Sequence, residues 1–392
     1  MPSPHQQVCF GSTTQSNDPG FDVEHNQLLP PFQWNPDVDW GSVDAHLHRY
    51  GFAVVDRAVV PSLSMKIRHH IEHLYAKHQD LFHANHTILT KRDGSTAYLR
   101  KHQIDELDLH ELSQRRCEPN GDGYVAQGCL SYLHSLAEDS HLLDTFGCDK
   151  ALLKAQLNHG DGACFPMHVD SSPQLDSRVV TAILYLNDIE GRVERCPRTR
   201  DGDEGIADGD GVANIGKTRE GGALRLYPFP YEPLDVSPAL GRLVLFSSTN
   251  TVHRVLPAHF RRVCITLWLT RHADGQTLHE PDASAAPVAV DEPDSNRLWQ
   301  FLFHRQYRHH IVRLVYADEW AKSILESHPD TVEREFAIAQ FWKEHEILVR
   351  VFGAYLPRLM KHFPVPLPQH DCDTIRSLDV DGFDMDALRW ID

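Results

Sequence analysis

Phe165-Pro166-Met167-His168-Val169-Asp170 is the stretch on which the reading of this 392-residue chain turns. In an extended strand side chains alternate faces, so His168 and Asp170, two apart, point the same way at roughly 6–7 Å spacing. An imidazole and a carboxylate so placed supply two of the three ligands of a 2-His-1-carboxylate site, which leaves half of an octahedral Fe(II) open to exchangeable ligands. The pattern His-x-Asp also occurs at His78/Asp80, His159/Asp161, His272/Asp274 and His328/Asp330, in a chain with 27 histidines, so the decision rests on what lies downstream.

Downstream lies the run from His253 to Trp268, which contains Arg254, Pro257, Arg261 and Arg262. As a strand, 262–269 puts Val263, Ile265, Leu267 and Leu269 on one apolar face and Arg262, Cys264, Thr266 and Trp268 on the other. A cavity face that begins with arginine needs an anion, because an unpaired guanidinium is costly to bury. A carboxylate fits its planar fork best. The competing pair His159/Asp161 flanks glycines at a turn, Gly160 and Gly162, which would hold ligands poorly.

Four segments in this order, His168-Val-Asp170, Arg178 to Asn187, Gly221-Gly222-Ala-Leu-Arg225 and His253 to Trp268, resemble the 2-oxoglutarate- and Fe(II)-dependent dioxygenases, in particular the prolyl 4-hydroxylase branch. The last segment is similar to the hypoxia-sensing prolyl hydroxylases in the spacing of its His, Val, Pro, Arg, Ile-Thr and Trp. The resemblance covers under a third of the chain. It implies an α+β fold with a double-stranded β-helix (jelly-roll, cupin-like) core and N-terminal supporting helices, to which the apolar pattern of this chain, outside the resemblance, adds a C-terminal helical extension. It further implies Fe(II) held by His168, Asp170 and His253, with 2-oxoglutarate anchored by Arg262, Tyr185 and Thr266 and ascorbate as reductant. The implied reaction hydroxylates a C–H bond with release of succinate and CO2. The acceptor is a protein prolyl residue or a small molecule, and the rival class is a metal-binding jelly roll without turnover. Asp170 favours hydroxylation over halogenation, since the family's halogenases replace this carboxylate. A tyrosine that contacts the co-substrate in the hypoxia-sensing relatives is replaced here by Asn158.

The composition, 41% hydrophobic and 24% charged, suits a globular chain with a substantial core. With 55 acidic and 38 basic residues the net charge is −17, which disfavours nucleic acid and anionic membranes as partners. Eight scattered cysteines without Cys-x-x-Cys pairs, and an N-terminus with no basic start and apolar run, point to a reducing compartment, the cytoplasm or the nucleus. The oligomeric state is not legible.

Along the chain, 1–36 reads as a mobile tail, 37–150 as an N-terminal α/β support region, 151–272 as the dioxygenase domain, 273–295 as a linker and 296–392 as a helical C-terminal region. Within the support region, Tyr50–Asp56 reads as a strand and Pro61 opens a helix with Leu63, Ile67, Ile71 and Leu74 on one face. His69, His70 and His73 on that helix read as scaffold. Residues 82–150 read as short helical pieces and loops, and Gly121 to Gly123 lacks the pattern of a phosphate loop. The stretch 188–220, which relatives lack, begins basic and turns acidic; its Asp-Gly repeats fit no calcium loop, and it is a candidate substrate lid. The C-terminal region reads as two long helices, with an apolar stripe through Phe341, Leu348, Phe352, Tyr355 and Leu359 and a capping box at Asp330-Thr-Val-Glu333.

Overall fold

The computed structural model describes residues 32–90, 94–109, 132–171, 177–188, 221–271, 289, 295–362 and 388–391. The lid candidate beyond 188, most of the linker, and the tail up to 31 lie outside them. The fold is α+β with a jelly-roll core, as expected.

Eight strands make that core: β4 (Lys150–Asn158), β5 (Ala163–His168), β6 (Arg178–Tyr185), β7 (Leu224–Tyr227), β8 (Leu234–Val236), β9 (Leu243–Ser247), β10 (Val252–Ala258) and β11 (Arg262–Thr270). Together with β1 (Phe52–Val55), β2 (His83–Thr90) and β3 (Thr96–Asp108) they form two antiparallel sheets, ordered β1-β9-β6-β11-β4-β3-β2 and β5-β10-β7-β8. The chain thus crosses repeatedly from one sheet to the other, and the site lies between them.

Each face of the larger sheet has its own partner. Its outer face, including Val263, Ile265, Leu267 and Leu269, is buried with Leu63, Ile67, Ile71 and Leu74 of α2 (Pro61–Lys77), which runs near α1 (Trp40–Tyr50). Burial on both sides explains why β6 and β9 carry apolar residues on both faces. The interior cluster draws Ile183, Tyr185, Val244, Phe246 and Cys264 from the larger sheet and Phe165, Leu224, Leu226 and Val255 from the smaller.

Four sequence readings need correction. Residues 83–108, read as helical pieces and loops, form the β2–β3 hairpin that extends the larger sheet. The inward positions of β3 include Lys101 and Glu106, and the phase shifts near Gln103 (φ 54°), so apolar alternation is broken where the strand continues. Phe32 and Trp34, inside the stretch read as tail, pack edge-to-face, and Trp34 meets Trp40 in the same way. The C-terminal region holds more than two helices: α4 (Ser295–Leu302), α5 (Arg305–Val315), α6 (Ala317–Ser327), α7 (Val332–Phe352) and α8 (Leu356–His362), after the short α3 (Ser140–Thr145) upstream. The α7 N-cap is Thr331, whose hydroxyl accepts from Arg334 N–H, one residue later than the capping box placed it.

The C-terminal helices cover the outer face of the smaller sheet. Leu298, Trp299, Phe303, Ile311 and Val312 pack with Met167, Tyr227, Phe229 and Val252. Ion pairs fix α6 on this sheet: Arg225 Nη1 to Glu319 at 2.8 Å and the buried Arg254 to Glu326. Trp390 packs under Arg308, 3.9 Å from guanidinium to ring, and against Gly51, where a Cβ would stand 2.1 Å from the indole. Among the described residues no helix is long and apolar enough to cross a membrane.

Candidate active site

A β-bulge aims the first candidate ligand. On β10, His253 pairs with His168 and Val255 with Phe165, so β5 carries one extra residue, Pro166 or Met167, across this step. Proline is tolerated there because β5 is an edge strand. The bulge lets Phe165 and His168, three apart, face the interior together, with rings stacked at 6.4 Å.

His168, Asp170 and His253 converge so that their ligand atoms all lie within 4.8 Å of one another. Asp170 Oδ1 stands 3.3 Å from His168 Nε2 and 3.6 Å from His253 Nε2. The other nitrogen of each ring meets a backbone carbonyl: His168 Nδ1 with Pro166 O at 2.8 Å, His253 Nδ1 with Thr251 O at 3.1 Å. A carbonyl can only accept, so Nδ1 carries a hydrogen on each ring and Nε2 is the nitrogen turned to the carboxylate. The second Asp170 oxygen is taken, accepting from Thr181 Oγ1 at 2.6 Å and from Trp268 Nε1 at 3.2 Å, while Thr181 also meets Ser248 Oγ at 2.8 Å.

Electrostatics favour the ligand forms a divalent ion requires. Burial opposes the charge on Asp170, but His253 and His168 beside it, with the hydrogen bonds from His168 and Thr181, hold its carboxyl well below the usual range. Burial, then the neighbouring His168, brings His253 down to about 4, so its imidazole is neutral at pH 7. An ionised carboxylate, a neutral His253 imidazole and the His168 ring beside them are a donor set that fits Fe(II).

Deeper between the sheets lies Arg262, 1% exposed. Its Nη2 donates to Tyr185 Oη at 3.2 Å, its Nη1 reaches Cys264 Sγ at 3.6 Å, and its Nε has no partner. No carboxylate among the described residues pairs with it. Burial works against its charge, yet Cys264 and Tyr185 hold it above the ordinary arginine value. Burial likewise pushes the Tyr185 phenol up to about 12, leaving it a neutral hydroxyl able to donate to an anion. Thr266 is buried two positions beyond Cys264 on the same face of β11, between Arg262 and Trp268 along the strand.

Other sequence candidates have local roles. Asn158 is directed to its own turn, donating to Ala163 O at 2.9 Å and accepting from Gly160 N–H at 2.9 Å. His159 binds Asp105 at 2.9 Å instead of joining the ligand group. Gly221 and Gly222 serve the close backbone approach their pairing suggests: a Cβ on Gly221 would meet Pro257 O at 2.1 Å. Thr181 was missed, and its signal was present as a hydroxyl on the inner face of β6, in line with Ile183 and Tyr185.

Residues 155–270 match the family model described as the 2OG-Fe(II) oxygenase superfamily, which assigns this segment to that class. The resemblance read from the four segments is thereby borne out. Solved structures similar to the chain include a prolyl 4-hydroxylase from Phytophthora capsici, at 22% identity, covering 82% of this chain and 90% of that one, with a TM-score of 0.47. Others are a prolyl-4-hydroxylase from Pseudomonas putida (19% identity, 59% and 95% coverage, TM-score 0.37) and a prolyl hydroxylase from Trichoplax adhaerens in complex with a hypoxia inducible factor oxygen degradation domain peptide fragment (20% identity, 59% and 88% coverage, TM-score 0.40). No curated protein matches the chain.

Proposed function

We propose that this protein is a 2-oxoglutarate- and Fe(II)-dependent dioxygenase that hydroxylates a C–H bond. One O2 and one 2-oxoglutarate are consumed, and succinate, CO2 and the hydroxylated product are released. The observation that carries the reading is Arg262: a buried guanidinium with an unpartnered Nε and, among the described residues, no paired carboxylate, in the interior that also holds His168, Asp170 and His253. An ionised group without a counter-charge is costly to bury, so the fold reserves this place for an anion.

When bound, Fe(II) and 2-oxoglutarate together supply the oxidising chemistry that activates O2. His168, Asp170 and His253 would hold the metal through His168 Nε2, Asp170 Oδ1 and His253 Nε2. Arg262 and the Tyr185 hydroxyl would take the far carboxylate of the co-substrate, with Thr266 lining the same face. Thr181 and Trp268 orient Asp170 through its other oxygen, and the apolar residues between the sheets exclude water. Ascorbate is the expected reductant.

A protein prolyl residue is the acceptor that the resemblance favours, and a small molecule is the second reading. The second is supported by a cavity of about 320 Å³ that has His168 in its wall. Succinate release in Fe(II), 2-oxoglutarate and ascorbate is the test. His168→Ala and His253→Ala abolish it on this reading, whereas full turnover by either variant would move the centre elsewhere. Tight metal binding with no succinate formed would favour the non-enzymatic jelly roll.

A further inference from the structure

Apart from Pro166, Met167 and His168, the cavity is built by two parts of the chain that the family match does not cover. One wall is the β2–β3 hairpin, through Thr87, Leu89, Leu99 and Lys101. The opposite wall is helical, with Arg313 from α5, Trp320, Ile324 and His328 near α6, and Phe341 and Glu344 from α7. Its volume lies at the small end of the roughly 300–1,000 Å³ usual for sites that bury a small ligand.

The charges in this lining do not cancel. Glu344 pairs with Arg313 at 2.7 Å and also accepts from Gln340. His328 is brought down to about 4, mainly by burial, and is neutral at pH 7. Lys101 remains. Its ammonium donates to Asn85 and lies 4.6 Å above the Phe165 ring, and it forms no ion pair with a carboxylate among the described residues. Burial lowers it to about 8, against the pull of the Glu106 and Asp170 carboxylates, neither of which forms an ion pair with it, so it keeps a charge at neutral pH.

We infer that the hydroxylated acceptor is a small amphiphilic acid, held with its anionic end at Lys101 beside His168 and its apolar body against Trp320 and Phe341. This rests on the oxygenase reading and names its substrate class. The C-terminal helices then act as the acceptor-selecting element.

The test is a titration of the full chain with phenylacetate and hexanoate against phenylacetamide and hexanamide, followed by Trp fluorescence and by calorimetry. Each acid binds at least ten-fold more tightly than its amide. Lys101→Met removes that preference, Lys101→Arg restores it, and Ala337→Trp, which fills the cavity, weakens acid and amide alike. Equal binding of acid and amide overturns the assignment, as does a preference that survives Lys101→Met. A preference lost in Arg262→Ala and kept in Lys101→Met overturns it too, by placing the acid in the deeper pocket. Binding of 2-oxoglutarate is measured in parallel. Its failure to depend on Arg262 would sink the oxygenase reading, while loss of the acid preference alone would sink only this one.

Discussion

Thr181 donates to Asp170 Oδ2 at 2.6 Å, which frees Oδ1 to face both imidazoles. Thr181→Val keeps the shape and removes that restraint, and the expected result is metal affinity weakened roughly 10–100-fold with the melting temperature little changed. Fe(II) or Mn(II) titration checks it. Arg262→Ala is expected to raise the 2-oxoglutarate requirement strongly, and Arg262→Lys to restore only part of it, since an ammonium lacks the planar fork; the KM for 2-oxoglutarate, read apart from kcat, decides. His328 sets an acid limit. Its folded value of about 4 lies below the ordinary 6.5, so the unfolded chain takes up the proton first as pH falls. Its contribution is intact above pH 6.5 and declines towards pH 4, by about 3 kcal/mol in full. His328→Gln should flatten that slope, measured as urea midpoints at pH 7.5 and pH 5.

The edge of the smaller sheet is closed by a helix. β5 has no strand beyond it, and the Met167 N–H, next to His168, donates at 2.9 Å to Ser323 Oγ of α6. Ser323→Ala leaves this donor without its partner, at a cost of about 1–2 kcal/mol, and calorimetric unfolding should show it. Elements whose logic is apolar were legible in the sequence. The two faces of β11, the double-sided burial of β6 and the stripe of α2 all follow from residue spacing alone. Elements whose inward residues are polar were not. β3 turns Lys101 and Glu106 inwards, and the reason, a chain of hydrogen bonds from Lys101 through Asn85 to Glu106 and Lys154, depends on partners brought together from three strands. Of the candidate site, the convergence of His168, Asp170 and His253 and the burial of Arg262 could be read because each residue has a distinctive chemical need. Asn158 could not be placed, because nothing in its identity tells a turn staple from a ligand contact.

At the scale of the whole molecule, the helical layer and the barrel behave as one unit. Arg254 and Arg225 reach out from the smaller sheet to Glu326 and Glu319, and Trp390 returns to the turn after α1. Its carbonyl accepts from Ser247 Oγ at 2.8 Å and from Asn250 at 3.0 Å. Trp390→Ala would leave a void beside Gly51 and strip Arg308 of its ring, so a loss of about 3–5 kcal/mol is expected. A chain cut after residue 362 should lose at least as much. Denaturant unfolding of the two forms tests this, and an unchanged midpoint in either would count against a single cooperative body.

The seat of Trp390 against Gly51 also orders events at the ribosome. Synthesis runs from the N-terminus at about 5–20 residues per second, so the indole appears roughly 20 to 70 s after the glycine it covers. During that interval β1 and β9 can pair, but the turn that leads into them stays unroofed and the Arg308 side chain has no aromatic surface to rest on. The nascent chain is therefore open to chaperones and proteases at this corner until Trp390 is made.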